Sequence, residues 1–237
     1  MHPSIDSNFS DIFRDYSHAS GLIDIYASIP LREVNFIVSI PLEYYSIPSE
    51  PGNIADRSGT EIGNIYVGIQ SNKGMNSDGG WRLGIGMYLP TAKETLYVGK
   101  LTDLMNINKV THEMATISID YGYRKIMDNG FTIGLEFNPR VYMPYSEIRD
   151  SRGPELYFHY GGMIGYNFEK VVILTEVLSR YLATEKTYNR SFEVVTFGAQ
   201  LKNYRIQPGM FFQIPLDKDF GDLVNYVFGM KMEYSIR

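Results

Sequence analysis

Between Phe131 and Met143 every second residue is apolar. Phe131, Ile133, Leu135, Phe137, Pro139, Val141 and Met143 alternate with Thr132, Gly134, Glu136, Asn138, Arg140 and Tyr142. Successive side chains of an extended chain take opposite faces, so as a strand this segment has one oily face and one polar, charged or small face. Wound as a helix, it would scatter both sets around its circumference. The alternation predicts a strand. It recurs at 23–29, 34–43, 64–70, 81–89, 115–124, 156–166, 195–202, 206–214 and 226–234, and it blurs only across 171–181. About eleven strands follow, most of roughly nine residues or more, the length that spans a bilayer when tilted.

The connections alternate in length. Short turns lie near Leu31-Arg32, Gly74 to Gly80, Asp128 to Gly130, Asn167 to Lys170 and Asn203 to Arg205. Longer loops occupy 46–60, 90–112, 144–154, 182–190 and 216–223. Tight turns at one end and long loops at the other are the habit of outer-membrane barrels. The expected fold is therefore all-β, an antiparallel transmembrane β-barrel of about 12 strands with about 11 visible in this chain. Residues 1–20 are expected to form an irregular N-terminal segment or external loop, and 21–237 a single barrel domain. Bacterial single-chain barrels have even strand numbers, so one further strand and a signal peptide are expected upstream of Met1. The opening Met-His-Pro-Ser-Ile-Asp has neither the basic nor the apolar region of such a signal.

A water-soluble sandwich also alternates, with its oily face inward. The polar face here carries Asp24, Glu43, Asp120, Glu136, Glu176 and Glu233 against Arg82, Arg124, Arg140, Arg180, Lys202 and Lys231, together with His159. Turned outward, it would be an ordinary solvated surface. Three features favour turning it inward. The polar face is rich in glycine (Gly68, Gly84, Gly86, Gly122, Gly134, Gly161, Gly165, Gly198, Gly209 and Gly229), which weakens a solvent-facing strand but makes room inside a crowded barrel. The oily faces end in aromatics such as Trp81, Tyr44, Tyr123, Phe131, Tyr166, Tyr181 and Tyr234, the girdle positions. The strands are also long and uniform for a sandwich, whose strands mostly run about five or six residues.

Composition closes other routes. No apolar run approaches the roughly 18 residues of a membrane helix. The absence of cysteine rules out disulfides and thiolate metal sites, and a net charge of −5 without a basic stripe argues against a nucleic-acid partner. The histidines His2, His18, His112 and His159 show no ligand spacing, so no metal or other cofactor is expected.

The six acids and six bases of the polar face are expected to balance across a narrow lumen. Arg82, Arg124, Glu136, Arg140, Glu176 and Arg180 would form a network, giving weak or gated conduction. The segment 95–110, with apolar Leu96, Leu101, Leu104 and Ile107, would fold inward or form a short external helix. Three functions follow in order: a passive channel or transporter for small, even hydrophobic, molecules; a structural or surface-interaction barrel with a closed lumen; and, last, a lipid hydrolase. The hydrolase would use Ser118 and His159 oriented by Asp120 or Glu136, a constellation inferred from facing alone. A non-enzymatic role, with His159 hydrogen-bonded in a polar interior, is preferred. The expected partners are the lipid and lipopolysaccharide of a Gram-negative outer membrane and a small-molecule solute.

Two segments, Ile62-Gly63-Asn64-Ile65-Tyr66-Val67-Gly68 and Leu83-Gly84-Ile85-Gly86-Met87-Tyr88-Leu89-Pro90-Thr91, have the patterns G-[DN]-x-x-x-G and L-G-x-G-x-x-x-P-T. In them the chain resembles the outer-membrane transporter barrels grouped with the meta-pathway phenol-degradation proteins. Val98 to Asp103 and Gln207 to Asp217 are similar to uncharacterised relatives of that group. The resemblance implies an outer-membrane location and uptake of small, hydrophobic compounds, and it supplies no catalytic residues.

Overall fold

A computed structural model describes residues 19–47, 57–71, 78–93, 105–109, 111–144, 153–184, 191–202, 204, 206–217 and 226–235, with backbone alone at 19–22, 43–47, 57–58, 107 and 231–235. Among these residues twelve strands run in chain order: β1 (Ala19–Leu31), β2 (Val34–Ile47), β3 (Arg57–Ile62), β4 (Tyr66–Ser71), β5 (Gly79–Tyr88), β6 (Met114–Ile126), β7 (Phe131–Pro144), β8 (Glu155–Asn167), β9 (Val171–Leu182), β10 (Ser191–Leu201), β11 (Ile206–Pro215) and β12 (Val227–Ser235). One 3-10 turn, Ile107–Lys109, is the only helical element among the described residues. Most of the expected N-terminal segment 1–20 lies outside the described residues, while Ala19 and Ser20 begin β1.

Each strand pairs antiparallel with its sequence neighbour from β4 round to β12, and β1 pairs with β2. The ring closes because β1 also pairs with β12, in parallel, from Ile23↔Met230 to Ser28↔Ser235. Parallel closure is what an up-and-down ring with an odd number of strands requires. Eleven strands make the ring, and β3 is an additional strand on β2 beside β4. Ile62 faces Leu42 and Tyr66 faces Ser39. Three residues, 63–65, thus stand where β2 spends two, which is the signature of a β-bulge. Because β3 and β4 follow one edge of β2 in the same direction, they act as two halves of one wall strand bent at Gly63-Asn64-Ile65.

The faces follow the sequence. Leu135 is 64% exposed and Phe137 44%, whereas Asn138 and Arg140 are 7% exposed. On β5, Leu83, Ile85 and Met87 point out, while Gly84 and Tyr88 are buried. Outer aromatics gather at the short-turn end, where Trp81 stacks on Tyr121 at 5.2 Å and meets Tyr123 at 4.5 Å, and Tyr166 lies 4.6 Å from Phe168. Nearer the long-loop end Phe137 stacks on Phe158 and Phe212 lies by Tyr226.

Large inward side chains lie flat over glycines of their own or the neighbouring strand. Tyr66 covers Gly68 and Gly86, where a Cβ would run into its ring, and Leu178 and Leu174 cover Gly161 and Gly165. This explains the blurred alternation at 171–181. The inward positions of β9, Val172, Leu174 and Leu178, are apolar as well as the outward ones, Ile173 and Val177. A second inward apolar group (Met105, Phe192, Val194 and Val227, backed by Leu178 and Phe211) fills the same side of the interior.

Candidate functional site: an inward segment at the lumen constriction

The sequence expectation for 95–110 left two outcomes, and for the described part the inward one is seen. Residues 105–109 and Thr111 enter the barrel from the long-loop end, and Met105, Asn108 and Thr111 are buried. Three anchors hold the segment. The first is the bulge between β3 and β4. Asn64, with no exposed surface, donates its side-chain amide to the carbonyl oxygens of Asn108 and Thr111, both at 2.7 Å, and accepts from the backbone of Ala92 at 3.0 Å. Thr91 secures the bulge by donating to the Gly63 carbonyl at 2.6 Å. Gly63 is required by close approach, since a Cβ there would meet the Lys109 carbonyl. The segments 62–68 and 83–91 are thus one structural unit, clamped around the segment that enters the lumen.

The second anchor is ionic. Lys109 Nζ lies 2.9 Å from Asp24 Oδ2 on β1, and Ser39 also donates to Asp24. The third is on β7. Arg140 Nη1 donates to Asn106 Oδ1 at 2.7 Å and Asn108 Oδ1 at 3.2 Å, and the Tyr142 hydroxyl donates to Asn108 Oδ1 at 3.3 Å. Tyr142 in turn stands 3.4 Å from His159 Nε2. A buried polar network of this kind rigidifies what it holds, because each lost partner would leave an unsatisfied group in a low-dielectric interior.

Two cavities lie toward the short-turn end from the segment, and Asn106 lines both. One, of about 300 Å³, is mostly apolar, with Leu174, Leu178 and Phe211 beside Glu176, Thr196 and Gln213. The other, of about 330 Å³, is polar and is lined by Asp24, Ser39, Tyr66, Arg82, Lys109 and Asp120. The interior is therefore two-sided, oily along β9 to β11 and polar along β1 to β6.

The charged residues singled out from sequence take the following places. Asp24 pairs with Lys109. Asp120 accepts from the Tyr66 hydroxyl at 3.1 Å and from Ser118 at 3.4 Å. Arg82 lies over Gly122 in the polar cavity, and Glu136 stands opposite Gly122 on the next strand. Glu136 and Glu176 flank a narrow crevice over Gly161 and Gly162. Arg124 pairs with Gly134 toward the short-turn end, and Lys202 donates to Asn167 at that rim. Arg140, His159 and Arg180 are buried in the long-loop half. The side chains of Glu43, Lys231 and Glu233 lie outside those described.

Among the described residues, no ion pair joins Arg82, Arg124, Glu136, Arg140 and Arg180 to one another. Strand geometry supplies the reason. Asp120 and Arg124, Glu136 and Arg140, and Glu176 and Arg180 are each four residues apart. That spacing would pair them on a helix, but along a strand it separates them by about 13 Å. Charge is layered along the strands instead.

Ser118 and His159 are both buried, yet Ser118 bonds to Asp120 and His159 to Tyr142, and no hydrogen bond links the two. A hydrolytic nucleophile needs its base within hydrogen-bond reach. Sequence reasoning did not find Asn64, Thr91, Asn106, Asn108, Lys109 or Tyr142. The signal for the first two was the pair of Gly/Pro-rich segments, read there for resemblance alone. No protein-family model matches the chain, and no curated protein matches it.

Proposed function

We propose that the chain is an outer-membrane β-barrel of a Gram-negative bacterium that acts as a gated passive channel for small molecules, with the inward segment 105–109 as the gate. The observation that supports this most is the inversion of its strands. A monomer in water rarely exposes a contiguous apolar patch larger than a few hundred Å². Here outward Ile23, Ile85, Ile119, Leu135, Ile164, Ile173 and Met230 make an oily belt around the ring, between aromatic rims. Lipid would cover that belt, with lipopolysaccharide on the long-loop side. On this reading the role is not catalytic. The relation to the phenol-degradation transporter barrels belongs to the same proposal, and the oily half of the interior suits solutes with an apolar body.

The inward segment also supports a second reading, a structural barrel closed by its own loop. Planar-bilayer recording of the refolded chain separates the two. The channel reading expects discrete conductance steps that grow at least twofold when the segment is released. Silence from verifiably inserted protein, wild type and released variant alike, would leave the closed barrel.

A further inference from the structure

We infer that Arg140 and Arg180, on either side of His159, form a binding site for a small oxyanion at the constriction. The register builds it. Arg180 pairs with His159 and Arg140 with Tyr157, the preceding inward residue of β8. Asn138 stands opposite His159 on the other side. Arg140 is 7% exposed and Arg180 9%, and neither has a carboxylate ion-pair partner among the described residues. Arg180 is held by two rings, Tyr157 at 5.7 Å and Phe192 at 5.4 Å from its guanidinium carbon. Arg140 is held by side-chain amide oxygens of the inward segment.

These contacts position two permanent cations without neutralising them. Removing an unpaired charge from water is costly, and guanidinium forks match oxyanions in geometry. Polar atoms without a protein partner collect here too. Among the described residues, every buried side-chain N or O atom without one belongs to Asn108, Thr116, Asn138, Arg140, Arg180 or Gln213, all in the long-loop half of the interior. Three of these are cationic or amide N–H donors, Asn108 Nδ2, Arg140 Nε and Arg180 Nη1. The inward carboxylates on the same strands, Glu136 and Glu176, are four residues away, about 13 Å along the chain. Two register positions off on the neighbouring strands stand Asp120 and Glu155, which accept from Tyr66 and Ser118 and from Tyr157 instead. Donors left over on and beside two guanidinium groups that make no ion pair among the described residues select an anion with several acceptor oxygens, a carboxylate, phosphate or sulfate.

The inference deepens the channel reading, because such a site would favour anionic solutes. Binding is measured on protein refolded in detergent, where it can be read whether or not the barrel conducts. Inorganic phosphate and sulfate, titrated at constant ionic strength against chloride, should raise the thermal unfolding midpoint saturably. Arg180→Gln should weaken the apparent dissociation constant at least tenfold and Arg180→Lys several-fold, while Arg82→Gln, in the other cavity, leaves it unchanged. If Arg180→Gln does not fold, the graded loss in Arg180→Lys against Arg82→Gln carries the test. A response equal in all variants would mark an adventitious ion only and overturn the site, as would no response in the wild type. If phosphate binds but the bilayers stay silent, the site stands and the channel reading falls.

Discussion

Asn64 is one of the side chains that keep the lumen occupied. Its amide spans from the β3–β4 bulge to the inward segment, and no shorter or apolar side chain supplies both its donors and its acceptor. Asn64→Ala should leave the Asn108 and Thr111 carbonyls and the Ala92 N–H without that partner. A buried unsatisfied group costs about 1–3 kcal/mol, and relaxation of the loop recovers part of it. The expected loss of folding stability is on the order of 2–3 kcal/mol, measured by denaturant unfolding of the refolded protein. If the segment is the gate, the same substitution should at least double the unit conductance. Destabilisation without a change in conductance would make the clamp purely structural.

At the scale of the element, strict alternation is what made the strands legible. Between the ends of β5, β6 and β7 the inward positions are polar, glycine or tyrosine, so period two reads directly off the residues. On β9 to β11 it weakens, because Leu174, Leu178, Phe192, Val194 and Phe211 point into an oily half-interior. Doubled apolars such as Val194-Val195 and Phe211-Phe212 were the available sign of walls wetted by oil on both faces. The site was less legible than the wall. Which acid meets which base depends on strand register and tilt, and a tally of charges has neither. The outward face makes a sharper prediction. Ile119, at the middle of β6, is 45% exposed. In water Ile119→Arg would change stability by less than about 0.5 kcal/mol. Against hydrocarbon the same change should cost about 2–4 kcal/mol. Equilibrium folding into phospholipid vesicles measures the difference, and a near-neutral result would argue against a lipid-facing belt.

For the molecule as a whole, the seam between β1 and β12 decides whether there is a lumen at all. Every other neighbouring pair in the ring is antiparallel, and parallel pairing is slightly weaker per residue. The seam also joins residues near opposite ends of the sequence, so its closure bears the largest loop-entropy cost and should form last. Ile23 and Met230 are partners across it, both on the outer face and exposed. The chain has no cysteine, so Ile23→Cys with Met230→Cys introduces the sole thiols. A bifunctional thiol reagent of about 8 Å reach, longer than a typical neighbouring-strand spacing, should link them within one chain. The unfolded product would then carry a closed loop and migrate faster on a denaturing gel. Ile23→Cys with Leu135→Cys, placed on strands far apart in the ring, should stay unlinked. Linking only in folded protein, and only for the first pair, is the expected outcome. Two free, reactive thiols in the folded first pair would mean an open sheet, and an open sheet has neither a lumen to gate nor a constriction to hold an anion.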